Sequence, residues 1–316
     1  MSVGWVYHPD FLEHKTGPTH PERPERLKAL VAALEAAGLL AKMRPIEFGP
    51  ASVLQIERVH EPAYVELVRM ACNDGVSAVG SPETKICRES YRIALLAAGG
   101  AIAACDAVMA GAVSSAFCAL RPPGHHAEPD YAMGFCLFNN PAVAAEHLVH
   151  HHHLKRVAIV DFDVHHGNGT QRMFEARDDV LFISVHEDPQ FLFPGTGFEN
   201  ETGTGPGEGY TVNVAMPRQA DDAAYHAVFA ERVLPAVRAY KPQFLILSTG
   251  FDAVREDSMS DICLEPESFT WITRELMAVA DEFCQGRVVS ILEGGYELDT
   301  LGRSAVAHVK ALIGES

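Results

Sequence analysis

Two aspartates and two adjacent histidines lie within six positions of the segment DFDVHHGNGT, residues 161–170, directly after the apolar run VAIV. Ionised side chains are costly to bury beside a hydrophobic strand unless they are paired or bind a metal. In an extended chain, residues two apart point to the same side, so Asp163 and His165 can face one ion, with Asp161 on that side too. This spacing predicts a metal-dependent site.

Similar polar motifs follow three other apolar runs. They are RPPGHHA (121–127) after SAFCAL, STGFDA (248–253) after FLILS, and EGGY (293–296) after VVSIL. In an open parallel sheet the carboxyl ends of the strands share one edge, and ligands bind in the crevice there. We therefore expect these segments to converge on one site with residues 161–170.

Asp163, His165 and Asp252 are the side chains of these segments best suited to hold a metal. Two carboxylates and one imidazole, with an open position for water, are typical of catalytic zinc, and the lack of cysteine argues against a closed structural site. The same ligands suit Fe²⁺, so the sequence leaves both ions open. The alternative is that these residues form structural ion pairs. That alternative is disfavoured, because so many charged residues are rarely buried at four strand ends without a ligand.

The remaining polar side chains suit proton transfer around such a metal. Hydrolysis needs a base that takes a proton from water and an acid that supplies one to the leaving group. His125 and His126 point apart, so one can face the water while the other lies deeper or toward the leaving group. Tyr296 follows two glycines and can donate a hydrogen bond to a substrate carbonyl as negative charge develops, or it can simply anchor a loop.

Short apolar runs alternate with longer helical segments along the chain. Several runs are apolar at nearly every position, which is typical of parallel strands covered on both faces. The alternation predicts one three-layer α/β/α domain over residues 1–316, with a mostly parallel sheet. The predicted strands lie near Val6 and at 115–120, 156–162, 180–185, 210–214, 244–248 and 288–292. The predicted helices lie at 24–37, 61–73, 88–110, 139–152, 221–238, 267–284 and 299–313.

The overall composition narrows the class of protein. A formal net charge of −17 over 316 residues argues against nucleic acid as the main partner, because phosphate binding needs a basic face. Seven cysteines without a CxxC pair, and an N-terminus without a signal-peptide pattern, indicate reduced thiols and a cytoplasmic location. The apolar segment Ile93–Cys105 predicts a buried core helix and no membrane span, because it ends at Asp106. A homo-oligomer is compatible with the sequence.

Four consecutive histidines, His150–His153, separate a helical segment from a strand. Clustered histidines can bind a metal. With no carboxylate or cysteine beside them in the sequence, they indicate a solvated surface loop.

The motifs together resemble those of zinc-dependent histone deacetylases, in the same order and over nearly the whole chain. HPERPERL and the asparagine of HHGNGT are similar to the class II branch and its bacterial relatives, including acetylpolyamine amidohydrolases. The resemblance implies an arginase/deacetylase-like fold with an eight-stranded parallel sheet. The matching motifs are HPERPERL (20–27), RPPGHHA (121–127), GFCLFNN (134–140), DFDVHHGNGTQ (161–171), FPGTG (193–197), STGFDA (248–253) and LEGGY (292–296).

The resemblance implies a role for each matched catalytic residue. The implied zinc ligands are Asp163, His165 and Asp252. The implied catalytic groups are His126 as general base and general acid, His125 as its electrostatic partner, Asp161 as the carboxylate that pairs with His125, and Tyr296 as the residue that polarises the carbonyl.

The resemblance also implies a substrate channel and a second cation. Phe135 and Phe193 match the aromatic pair that walls an acyl-lysine channel, and Gly134 matches the glycine whose carbonyl accepts the substrate amide N–H. The backbone of Asp161, together with Ser184, resembles a monovalent-cation site, so we expect a structural K⁺ there.

Three positions differ from the residues found in parts of the family. Asn168 replaces an aspartate of class I enzymes, and a neutral amide should leave His126 less basic. Met259 aligns with a rim position that is acidic in acetylpolyamine-specific relatives, which favours a neutral amide substrate. Tyr296 is present where some class II members have histidine, which favours an active enzyme.

These features favour a zinc-dependent amidohydrolase that removes acetyl or short acyl groups from lysine side chains of proteins or peptides. The first alternative is an acetylpolyamine or other small acylamine amidohydrolase, which the acidic surface would suit. The second is a non-catalytic acyl-lysine binder on the same fold. Neither nucleic acid nor a membrane is expected as a partner.

Overall fold

The computed structural model describes residues 2–315, which form an eight-stranded sheet whose strands are all parallel. The strand order is β2-β1-β3-β8-β7-β4-β5-β6. Buried apolar side chains occupy most strand positions, as the near-continuous hydrophobic runs predicted. The strands are β1 Val3–Val6, β2 Met43–Pro45, β3 Ser115–Cys118, β4 Val157–Asp161, β5 Val180–Glu187, β6 Thr211–Met216, β7 Phe244–Thr249 and β8 Val288–Leu292.

Helices cover both faces of the sheet and complete the three layers. One group consists of α1, α8, α9 and α10, which pack on one another, and α4 and α5 pack on each other and on the sheet. A π-helical turn, Phe229–Val233, joins α7 to α8. The helices are α1 Glu25–Ala36, α2 Val53–Ile56, α3 Pro62–Asp74, α4 Ser90–Met109, α5 Asn140–His150, α6 Asn168–Phe174, α7 Asp222–Val228, α8 Leu234–Tyr240, α9 Ser268–Phe283 and α10 Leu298–Ile313.

The three-layer fold is confirmed, but reading the apolar runs missed one strand. β2 spans three residues, contains Arg44 and Pro45, and pairs only with β1 at the edge of the sheet. Proline and a charged side chain are tolerated at a sheet edge, because one side of an edge strand needs no ladder hydrogen bonds. Such a strand has no apolar run to reveal it.

Helix α4 contains the apolar segment that was predicted to be a core helix. It extends to 20 residues, so it is long and apolar enough to cross a membrane by length and composition alone. However, 67% of its most apolar 18-residue window is buried inside the protein. It packs against β1, β3 and β8, as a core helix does. All seven cysteines are free thiols, and Cys105 and Cys118 are buried.

The histidine run has a carboxylate neighbour, contrary to the expectation of a loop without one. Asp106 lies in the last turn of α4, and its Oδ1 is 2.7 Å from Nε2 of His152. The expectation failed because α4 and α5 pack together, which brings in a side chain 46 positions away along the chain.

Candidate active site

The carboxyl ends of neighbouring strands bring two carboxylates and one imidazole together. Asp163 and His165 follow β4, and Asp252 follows β7, its neighbour in the sheet. Nδ1 of His165 lies 3.0 Å from Asp163 Oδ1 and 3.1 Å from Asp252 Oδ2. One ligand atom from each residue lies within 4.8 Å of the others, and all three residues are buried. These residues therefore fit a single cation between them.

Backbone N–H groups hold the two carboxylates in place. Gly294 donates to Asp163 Oδ2 at 2.7 Å, and Val164 donates to Asp252 Oδ1 at 3.0 Å. The loop after β8 also comes very close, since a Cβ on Gly294 would lie 2.2 Å from Asp252 Oδ2 and 2.5 Å from Asp163 Oδ2. Only glycine fits at this position, which explains part of the EGGY motif.

Burial, neighbouring charges and hydrogen bonds shift the pKa values of Asp252 and His165 in this cluster. Burial and the neighbouring Asp163 carboxylate raise the pKa of Asp252 to about 6. Burial lowers the pKa of His165, but the hydrogen bonds to Asp163 and Asp252 outweigh it and raise that pKa to about 10. Two buried carboxylates thus compete for one positive charge, a situation that a divalent cation resolves.

Two adjacent histidines lie beside the cluster and have different partners. Nδ1 of His125 is 3.0 Å from Asp161 Oδ2, which places Asp161 behind His125 and outside the three-residue cluster. Burial lowers the pKa of His125, but the charges of Asp161 and Asp163 outweigh it and raise that pKa to about 10. His125 is therefore a cationic neighbour of His126, whose ring centroid is 4.0 Å away.

The tautomer of His126 follows from the hydrogen bonds of Asn168. The Asn168 amide nitrogen donates to Glu128 Oε1 at 2.9 Å, so the amide oxygen is the atom that lies 2.7 Å from His126 Nδ1. An amide oxygen only accepts, which puts the proton on Nδ1 and leaves the lone pair of Nε2 free. Burial and the nearby His125 charge hold the pKa of His126 well below its usual value.

A cavity of about 160 Å³ opens above this cluster. Met259, Phe135 and Phe193, predicted to line a substrate channel, all lie in its wall, with Phe193 41% exposed. Gly134 has a φ of +56°, and a Cβ there would lie 2.2 Å from His126 Cδ2, so a side chain would displace His126. The full lining is Glu83, His126, Gly134, Phe135, His165, Phe193, Met259 and Tyr296.

A family model described as the histone deacetylase domain matches residues 20–312. The chain belongs to the histone deacetylase family. It is therefore a deacetylase or amidohydrolase by family, a group that acts on acetylated substrates and is generally metal-dependent.

Several members of the histone deacetylase family are similar to this chain over nearly all of its length. The chain is 40% identical over 301 residues to a protein named "Probable deacetylase" from Archaeoglobus fulgidus, covering 95% of this chain and 82% of that protein. It is 38% identical to the histone deacetylase-like amidohydrolase of Pseudomonas aeruginosa, over 98% of this chain and 80% of that protein. The crystal structure of the HDA15 HD domain superposes with a TM-score of 0.94 at 38% identity, over 100% of this chain and 90% of that one.

One cavity residue of this deacetylase was missed from the sequence. Glu83 lies in the wall, so the rim is not wholly apolar as Met259 had suggested. Burial raises the pKa of Glu83, but hydrogen bonds from Ser81 and Gly134 outweigh it and hold that pKa below its usual value, so the carboxylate is ionised at neutral pH. No motif marks Glu83; its position follows from the loop that leads into α4.

Other missed residues of the deacetylase support the catalytic loops. The Glu293 carboxylate accepts hydrogen bonds from the amides of Gly124 and His125, at 2.6 and 3.1 Å. Arg26, in the HPERPERL motif, donates to the backbone carbonyls of Glu293 and Gly295, both at 2.6 Å. HPERPERL is thus both the start of α1 and a support for the EGGY loop.

Asp257 joins the two loops that carry the rim and the tyrosine. Its carboxylate accepts from the backbone amides of Met259 at 3.0 Å and Tyr296 at 2.6 Å. The Tyr296 ring packs edge-on against Phe135, with centroids 5.8 Å apart, and Arg26 lies 4.8 Å over its face. Burial raises the pKa of Tyr296 well above its usual value, so its hydroxyl stays protonated and can donate.

The remaining predicted positions lie deeper. Ser184 is buried and is the register partner of Asp161 across β4 and β5, while its hydroxyl lies 2.9 Å from His186 Nδ1. Binding of K⁺ there stays a prediction. His166 points away from the cluster, as alternation predicts, and contacts Thr196 and Gln171 at 2.9 Å.

Replacing Asn168 by aspartate should move the acidic limb of the kcat/KM profile to higher pH. A carboxylate beside Nδ1 favours protonated His126, and an adjacent opposite charge typically shifts a pKa by about one to three units. A protonated base cannot accept a proton. As the pH is lowered, the variant should therefore lose activity at a higher pH than the parent enzyme does. Measuring kcat/KM against pH for Asn168→Asp tests this.

The new carboxylate of that variant would face Glu128, so a second variant is needed. Asn168→Asp combined with Glu128→Gln restores a donor to the new carboxylate and should give the larger shift. A profile that keeps its acidic limb at the parental pH in both variants would contradict the assignment of Nδ1–H to the Asn168 bond.

Proposed function

We propose that the protein is a zinc-dependent deacetylase that removes acetyl, or another short acyl group, from lysine side chains of proteins or peptides. The observation that carries this proposal is one cavity lined by His126, His165 and Tyr296. Asp163 and Asp252 contact His165 and form the metal-ligand cluster with it. Each of these groups would lie within reach of one amide placed in the cavity.

Asp163, His165 and Asp252 would hold the metal. Zinc bound there would polarise the substrate carbonyl and lower the pKa of water, as it does in other hydrolases. We favour zinc because an aspartate–imidazole–aspartate set with an open position suits it, and Fe²⁺ is the alternative that the same ligands accept. A structural K⁺ beside Asp161 and Ser184 belongs to the same proposal.

In the proposed reaction His126 transfers protons, and Tyr296 stabilises the negative charge that develops on the carbonyl oxygen. The free Nε2 of His126 takes a proton from the attacking water as its oxygen bonds to the carbonyl carbon. The Tyr296 hydroxyl donates a hydrogen bond to the carbonyl oxygen as negative charge develops on it. His126 then gives the proton to the nitrogen, the carbon–nitrogen bond breaks, and acetate and a free amine leave.

The low pKa of His126 has a use in this sequence of steps. A base that stays neutral near pH 7 is ready to accept a proton, and its protonated form is a strong acid toward a leaving amine. Burial and the cationic His125, whose ring centroid is 4.0 Å away, keep the pKa of His126 low, and the neutral amide of Asn168 raises it less than a carboxylate would. Asp161 stabilises His125 as that cation.

The cavity walls bear on the choice of substrate. Phe135 and Phe193 leave a narrow apolar passage that suits the methylene chain of lysine, and Met259 adds an apolar surface at its side. The alternative is an acetylpolyamine, whose distant ammonium group could contact the Glu83 carboxylate. The position of the Glu83 carboxylate in the cavity wall is the specific observation that keeps the second candidate.

Side-by-side assays separate these candidates. Protein stripped with a chelator and reloaded with Zn²⁺ should hydrolyse an acetyl-lysine peptide with a higher kcat/KM than acetylputrescine or acetylspermidine. Reloading with Fe²⁺ in a parallel sample compares the two metals. No hydrolysis of any of these substrates by zinc-replete protein would contradict the proposed function.

Glu83→Gln is the matched variant for the substrate question, because glutamine can still accept from the Gly134 amide. It should leave peptide hydrolysis within about twofold, since an exposed or partly exposed charge contributes little to a neutral ligand. A selective loss with acetylpolyamines, combined with a higher parental kcat/KM for them, would favour the alternative. A cytoplasmic location and one catalytic domain over residues 1–316 stay predictions.

A further inference from the structure

A second group of metal-ligating side chains lies outside the active site. It consists of Asp106, His147, His151 and His152, each of which offers a ligand atom within 4.8 Å of the others. Nε2 of His147 and Nε2 of His152 both lie 2.7 Å from the same Asp106 oxygen, Oδ1. Four residues with metal-binding side chains thus converge on one point.

The local structure explains this convergence. Asp106 lies in the last turn of α4, and His147 lies in the last turn of α5, which packs against α4. His147 and His151 are four residues apart, one turn of helix, so their rings stack with centroids 4.8 Å apart. His152 follows as the chain leaves α5 and turns its ring edge-on to His147, at 5.3 Å. Paired histidines at this helical spacing are a known way to bind zinc.

The cluster is placed where an ion could enter from solvent. The side chain of His147 is 8% exposed, that of His152 is 20% exposed and that of Asp106 is 47% exposed. The cluster precedes β4, whereas Asp163 and His165 follow it, so the two groups lie at opposite ends of that strand. No residue is shared between them.

We propose that Asp106, His147, His151 and His152 form a second divalent-metal site of the zinc class. Three imidazoles and one carboxylate form a ligand set that binds zinc, nickel or copper in preference to calcium or magnesium. Four ligands from the protein fill a tetrahedral shell and leave no position for water, which is the pattern of a structural site. The ion would join the ends of α4 and α5, and the site takes no part in hydrolysis.

Histidine binds a metal through a neutral nitrogen, so affinity should rise with pH and protons should be released on binding. The ion then stabilises the folded protein in proportion to its free concentration.

The experiment counts metals in the full-length protein. After equilibrium dialysis against buffered zinc, the parent should hold about two zinc ions per chain, whereas a catalytic site alone accounts for about one. The double variant His151→Gln, His152→Gln should lose about one ion, and it should keep deacetylase activity within about twofold. Asp106→Asn should weaken zinc binding at this site without changing the helix packing.

Two controls keep the result specific to the cluster. His150→Gln changes an exposed neighbour in the same run that lies outside the cluster, and it should keep both ions. His165→Ala should lose the catalytic ion and keep the second one, and added zinc should still raise its melting temperature. Cobalt absorption spectra would show a tetrahedral site that survives His165→Ala and disappears in the double variant.

Three results would overturn the proposal. They are a parent with a single zinc that His165→Ala removes, a double variant with the same zinc content as the parent, and loss of the second ion in His150→Gln. The first two would mean that the cluster is only a hydrogen-bonded pair of helix ends, and the third that the histidine run binds metal without a defined site.

Discussion

Replacing His126 by glutamine should lower kcat/KM by about 10²- to 10⁴-fold, the usual contribution of a positioned acid–base group. The free Nε2 of His126 points into the cavity because Nδ1–H is held by Asn168 at 2.7 Å. Glutamine fills much of the same volume and can keep a hydrogen bond to Asn168, but it cannot take up a proton. Steady-state kinetics on an acetyl-lysine peptide measures the loss.

His166→Gln is the matched control for that experiment. His166 is also a buried histidine of the same region, but its two nitrogens contact Thr196 and Gln171 and not the cavity. We expect the two variants to unfold at similar temperatures and to hold the same zinc, since neither residue belongs to the three-residue cluster. An activity for His126→Gln within tenfold of the His166→Gln activity would exclude His126 as the base.

His125 and His126 are adjacent in the sequence, but their pKa values are shifted in opposite directions. Both are buried, and burial lowers the pKa of each. His125 contacts the carboxylate of Asp161 and stays cationic, whereas His126 contacts a neutral amide and stays unprotonated. Partners that push two pKa values apart are the pattern by which acid and base roles are assigned in active sites. Burial and the charge of His125 hold the pKa of His126 low, and the neutral amide at position 168 offsets them less than a carboxylate would.

Much of this site could be predicted because its geometry is local or follows from topology. The two-residue spacing of Asp163 and His165 places both on one side of an extended segment. In the structure the two side chains are in contact and could bind one ion. The four polar motifs met because each follows a parallel strand, and such strands end at one edge of the sheet. Neither relation depends on how the side chains pack.

The missed residues depend on contacts between distant parts of the chain. Arg26 reaches the loop after β8 across 269 positions, and Glu83 meets Gly134 across 51. Asp106 meets the histidine run only because α4 and α5 pack together. Nothing in the spacing of these residues shows such encounters, since they follow from how helices dock and how loops cross the edge of the sheet. Supporting and rim residues are therefore the least predictable part of the site.

Replacing Tyr296 by phenylalanine should lower kcat by about 10²- to 10³-fold while KM changes little, as expected for a donor that acts on developing charge. Phenylalanine keeps the edge-on contact with Phe135 and the face that lies under Arg26, so the cavity should keep its shape. Only the hydroxyl is lost, and burial holds that hydroxyl protonated in the parent. Tyr240→Phe is the control, because that hydroxyl donates to the Asp178 carbonyl elsewhere on the molecule.

The same variant also separates an enzyme from a binding protein on this fold. Calorimetric titration of an acetyl-lysine peptide into Tyr296→Phe should give an affinity close to the parental KM, while turnover falls. If the parent and the variant both bound the peptide and neither hydrolysed it, the cavity would be a recognition site. If Tyr296→Phe kept the parental kcat, the charge on the carbonyl oxygen would have to be stabilised by other groups, and the buried hydroxyl would serve only to position the loop after β8.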